Sequence, residues 1–131
     1  MVTENLKELC KKYRLDATPE FWAATETQIK CIYNGAGPDW LPGWGRDILT
    51  DVLDLFQPSF VVHDFDFSRA DKSIKGFNTA NNRMLKNMLK ILNKTYPLTN
   101  PRTWMLYLRW LVRAFAAYRA VTKWGWSAWV D

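Results

Sequence analysis

Leu6, Leu9, Cys10 and Tyr13 recur at the three- and four-residue spacing that lines side chains along one face of a helix, and Thr3 ahead of them offers a capping hydroxyl. The chain is therefore expected to open on an amphipathic helix. Thr18 followed by Pro19 predicts a second start: a capping oxygen, then a residue whose missing N–H is harmless in the first turn. Trp22, Thr25, Ile29, Ile32 and Tyr33 continue along one face of that helix. The pattern then breaks over residues 34–45, N-G-A-G-P-D-W-L-P-G-W-G, where four Gly and two Pro exclude a regular helix or strand. A loop this long in a compact domain is either functional or disordered, and the two Trp within it predict an ordered one.

Helical spacing returns over residues 46–56 through Ile48, Leu49, Val52, Leu53 and Phe56. Pro58 is then expected to end or kink the helix, or to begin the next one. Residues 60–67 are rich in Val and Phe, and over so short a run periodicity alone allows strand or helix. Residues 68–76 are polar and loop-like. Phe77, Ala80, Asn81, Met84, Leu85, Met88 and Leu92 then mark one face of a helix, with Asn81 on its apolar side. Asn100 and Pro101 predict the cap and start of a long helix to about residue 123. In it Arg102, Arg109 and Arg113 share a stripe, Arg119 and Lys123 flank it, and the rest is hydrophobic. No internal repeat or linker interrupts the series. The expectation is one all-α domain over residues 1–131.

Composition sharpens this picture in two places. The chain holds 8 Trp, and five of them (104, 110, 124, 126 and 129) fall in its last 28 residues, more indole than a core of this size needs. Trp concentrates where one side of the ring is apolar and the other wet, so the tail over residues 123–130 is expected to meet a lipid interface or a partner. For residues 101–118 the expectation is a core helix whose Arg stems cover apolar surface. The net charge of +5 attracts anionic partners without choosing among them, and no motif for nucleic acid accompanies it, so none is expected as a partner. Cys10 and Cys31 form no C-x-x-C pair, which argues against a disulfide scaffold or a structural zinc and leaves a single bridge open. The N-terminus lacks the pattern of a signal peptide, and three Arg interrupt the longest apolar region. The expected setting is cytoplasmic, or exported without a Sec signal, and not membrane-spanning.

The one histidine, His63, must carry any imidazole chemistry, and Asp64 follows it directly. On a helix such neighbours point roughly 100° apart, which suits separate roles: a base and a ligand for a hard cation such as calcium. The Gly-rich loop could present several carbonyls to the same ion. Phe56, Pro58, His63, Asp64, Phe65 and Phe67, preceded by A-G-P-D at residues 36–39 and followed by F-N-T-A-N-N-R-M-L at residues 77–85, resemble the phospholipase A2 superfamily, closest to its prokaryotic and phage-type branch. The resemblance spans about residues 33–92. It implies a phospholipase A2-like domain of two core helices and a calcium loop, acting on glycerophospholipid acyl esters at a membrane surface.

The resemblance also implies roles. His63 would deprotonate the attacking water, Asp64 would bind calcium with carbonyls near Gly35 and Gly37 and the Asp39 carboxylate, and Asn81 would contact the second imidazole nitrogen. Four positions depart from the family pattern. Asn81 or Asn82 stands where the family orients its histidine with Asp, and an amide cannot stabilise imidazolium by charge. Phe67 replaces a Tyr, and Ser59 and Asp66 replace Cys. Asp66 and Asp71 are the nearest spare carboxylates. Two readings stay open: a calcium-dependent hydrolase, or a weakened or inactive relative that binds lipid or protein.

Overall fold

The computed structural model describes residues 5–33 and 43–130, with the backbone alone over residues 43–54. Its helices are α1 (Leu6–Lys12), α2 (Pro19–Ala23), α3 (Glu26–Ile32), α4 (Gly43–Ser68), α5 (Ile74–Thr95), α6 (Trp104–Trp124) and α7 (Trp126–Val130), with a 3₁₀ turn at Pro101–Thr103. Among the described residues there is no strand, and no helix is long and apolar enough to cross a membrane.

Short connections dictate the arrangement of the three long helices. Five residues join α4 to α5, which lays them antiparallel: Phe67 meets Phe77, and four residues earlier on α4 His63 meets Asn81, four residues later on α5. The next pair runs antiparallel too, since Tyr118 donates to Asn82 and Tyr107 to Asn93. Trp110 of α6 packs edge-on against Phe56 of α4 at 5.7 Å, closing a three-helix layer. Its core holds Phe56, Phe65, Met84, Met88, Ile91 and Leu92, all essentially buried. Each large apolar side chain taken out of water there contributes about 1.5–3 kcal/mol.

The N-terminal helices close the other side of α4. Asn5 caps α1 by accepting from the Glu8 amide, while Thr3, the residue expected to do so, lies outside the described residues. The Glu26 carboxylate also accepts from the first two amides of α1, Leu6 at 2.8 Å and Lys7 at 3.1 Å, placing an anion where the helix dipole favours one. The helix expected to run through Thr25 is two helices. Ala24 and Thr25 are extended, and Thr25 with Gln28 forms a reciprocal capping box that starts α3 afresh. Arg14 takes a left-handed backbone (φ 53°) where α1 ends, and Leu15 and Arg14 bond back to the carbonyls of Cys10 and Lys11.

Pro58 neither ends the helix nor begins a new one. The helix runs unbroken through Pro58 to Ser68, and its start at Gly43 makes residues 43–45 helical too. Proline removes one hydrogen bond, but Phe56, Ser59, Phe60, Val61, Val62, His63 and Phe65 are all buried along this stretch, and that packing outweighs both the proline and the β-propensity of Val and Phe. α5 begins at Ile74, capped by Ser73, one turn earlier than its apolar stripe predicts.

Candidate functional site

His63 is 3% exposed and faces α5. Its Nε2 lies 2.8 Å from Oδ1 of Asn81, itself fully buried on the apolar stripe of α5. An amide oxygen toward the ring would place the proton on Nε2 and leave the lone pair on Nδ1. Asn82, the other candidate for this position, points to α6 and accepts from Tyr118 at 2.7 Å. Burial pushes the His63 pKa down to about 4 and the hydrogen bond to Asn81 offsets only part of that, so the imidazole is neutral at neutral pH. The amide nitrogen of Asn81 is buried without a hydrogen-bond partner.

The wall around the imidazole is aromatic. The Phe67 ring sits 4.5 Å from His63, Trp129 packs edge-on to Phe67 at 5.1 Å, and Phe77 completes the cluster. Trp129 is thus buried at 4%, with its indole N–H donated to the Ser73 carbonyl at 2.9 Å. Of the tail expected to meet an interface or a partner, one ring is therefore buried behind Phe67, while Trp126 stays partly exposed. Gly76 makes the approach feasible, because a Cβ there would collide with the Asp71 carboxylate and would come within 2.9 Å of the Trp129 ring.

Asp64 points away from His63, as the helical step requires. It is half-buried, and burial pushes its pKa up to about 7. Among the described residues no Lys or Arg pairs with it. Tyr33, the last described residue before the 34–42 segment, has its pKa raised by burial, lowered in part by a hydrogen bond with Gln57, and raised further by the Asp64 charge. Gln57 and Asp64 stand seven residues apart on α4, two helical turns, and so present one face to the root of that segment. The spacing was available in the sequence, yet nothing marked Tyr33 or Gln57 as neighbours of the carboxylate.

The spare carboxylates are committed elsewhere. Asp66 pairs with Arg83 at 2.8 Å, Arg83 also reaches Asp16 at 3.2 Å, and Asp71 accepts from the Ser73 amide and hydroxyl. Ser59 bonds the Phe56 carbonyl at 2.7 Å, and Cys10 is a buried thiol pushed up to about 12, chiefly by burial. A cleft of about 470 Å³ opens beside Arg83, lined with Asp66, Arg69, Asp71 and Lys75, but neither His63 nor Asp64 borders it. Gly35, Gly37 and Asp39, expected to complete a metal site, lie outside the described residues. Among the described residues no three or more His, Cys, Asp or Glu gather as a ready metal cage. A desolvated carboxylate with no Lys or Arg partner among the described residues has the donor chemistry a hard cation needs, since a bound cation would hold it ionised.

Searches against protein-family models, curated proteins and solved structures found no match to this chain.

Proposed function

We propose that the chain is a calcium-dependent, phospholipase A2-like hydrolase of glycerophospholipid acyl esters, working at a membrane surface. The observation that carries this reading is the 2.8 Å contact between Nε2 of the one histidine and Oδ1 of the buried Asn81, beside the Phe67 ring; a proton on Nε2 would leave Nδ1 as the base. Nδ1 takes a proton from water as the water oxygen attacks the acyl carbonyl, and the imidazolium returns that proton to the departing glycerol oxygen. The products are a fatty acid and a lysophospholipid. Asp64, with carbonyls near Gly35 and Gly37 and the Asp39 carboxylate, would hold calcium, which when bound supplies the positive charge that polarises the carbonyl.

Asn81 orients the ring but contributes no negative charge to the imidazolium, and a histidine held at about 4 is a weaker base than one near 6.5. A slow enzyme follows. The test is fatty-acid release from mixed phospholipid vesicles, with calcium and with a chelator, beside His63→Ala. Calcium-dependent release lost in the variant supports hydrolysis. A second reading, a non-catalytic lipid-binding relative, is favoured by the amide at Asn81 and the depressed His63, and vesicle binding without release would select it.

A further inference from the structure

The outer face of α6 is apolar where a helix packed on a core should be polar. Trp104, Met105, Leu108, Val112 and Phe115 recur at helical spacing along it and are between 44% and 66% exposed. The inner face, Ala114, Ala117, Ala120 and Val121, already supplies the contact with α4 and α5, so the outer stripe is surplus to the core. Exposed apolar patches of this kind, on the order of a few hundred Å², mark interaction surfaces.

Charge chooses the occupant. From Lys72 to Val130 the chain carries eleven Lys and Arg and no Asp or Glu. Arg102, Arg109, Arg113, Arg119 and Lys123 border or end the stripe, all exposed, and among the described residues none has a carboxylate partner. Arg113 lies over the Trp110 ring at 4.6 Å and Lys123 over Trp124 at 4.9 Å, each keeping its charge at the surface. A second copy of α6 would bring like charges together. An anionic leaflet would take the apolar stripe among its acyl chains and the cations among its headgroups, the arrangement of helices that lie in the interface plane.

We propose that the outer face of α6 docks on anionic phospholipid membranes, Trp104, Leu108, Val112 and Phe115 entering the leaflet and the Arg rim binding its headgroups. It shares with the hydrolase reading the view that this chain meets phospholipid, but needs no catalysis. The experiment is co-sedimentation with phosphatidylcholine vesicles, with and without phosphatidylglycerol, in chelator so that calcium-dependent hydrolysis is off. The wild-type chain should bind only the anionic vesicles, more weakly as salt rises. Val112→Asp, and separately Arg109→Glu with Arg113→Glu, should each weaken binding roughly tenfold or more while leaving the circular dichroism spectrum unchanged. Equal binding to both vesicles, variants that bind like wild type, or no binding would overturn the proposal. So would a dimer in analytical ultracentrifugation that Val112→Asp dissolves, since the stripe would then belong to a second copy. Binding without fatty-acid release in calcium would remove the enzyme and keep the docking face; release from monodisperse lipid without vesicle binding would do the reverse.

Discussion

The imidazole of His63 is held by an amide, with Asn81 Oδ1 2.8 Å from Nε2, in a setting where burial keeps the ring neutral. Exchanging the amide for a carboxylate tests what that choice does. In Asn81→Asp the negative charge favours the imidazolium, so the His63 pKa should climb from about 4 to 6.5 or above in an NMR titration. Hydrolysis near neutral pH, if the chain is the proposed enzyme, should rise by roughly ten- to a hundredfold. An unmoved titration would show that residue 81 does not govern the ring.

Asp64 gives a prediction of opposite sign. Its folded pKa of about 7 stands above the unfolded value near 3.8, so its contribution to stability is fully present below pH 3.8 and lost as pH rises through 7. Asp64→Asn should therefore be more stable than wild type at pH 8, by up to roughly 4 kcal/mol before allowance for partial exposure, and equal to it at pH 3.5. His63 runs the other way, with stability present above 6.5 and lost as pH falls to about 4. Urea titrations at the two pH values check the sign. Calcium should raise the Tm of the wild type at pH 8 and leave Asp64→Asn where it was.

Removing the indole at residue 129 should open the aromatic wall. Trp129→Ala deletes the ring packed on Phe67 and Phe77 and removes one of two donors to the Ser73 carbonyl, the Phe77 amide remaining, a loss of about 3 kcal/mol or more in urea unfolding. Water reaching the imidazole should also bring the His63 pKa up toward 6.5, while Trp129→Phe should keep most of both properties. A His63 titration indifferent to residue 129 would mean that Phe67 alone shields it.

Arg83 stands between Asp66 and Asp16, and Asp66 is only 8% exposed. Arg83→Ala should destabilise by about 3–5 kcal/mol, most of it from a buried carboxylate left without its partner. Adding Asp66→Asn should recover a large part of that loss in the same unfolding assay. A double variant no better than the single would locate the effect in the Asp16 contact.

The elements that could be read in advance were those with a local signature. Asn81 occupied an apolar stripe, and a helix turns by roughly 100° per residue, so it and not Asn82 faces α4. The capping box at Thr25 and Gln28 is equally local, but the apolar spacing runs on through it and masks the boundary. At Pro58 the burial of its neighbours, which local propensity does not contain, keeps the helix continuous. Contacts between distant segments had no signature at all. Asn87 clamps the amide and carbonyl of Asp16 across 71 residues, and Trp129 reaches Ser73 across 56. Gly35, Gly37 and Asp39, expected to form a calcium loop, lie outside the described residues.

His63 and Asn81 sit 18 residues apart on one helical hairpin, whereas the ring that seals them arrives from α7. Closing the hairpin restricts a short stretch of chain, and bringing in α7 restricts a far longer one. The imidazole–amide pair therefore closes at a smaller entropic cost than the contact that covers Phe67. Unpacking of the five-residue α7 would uncover the Phe67 ring that lies against the histidine while the hairpin stays intact.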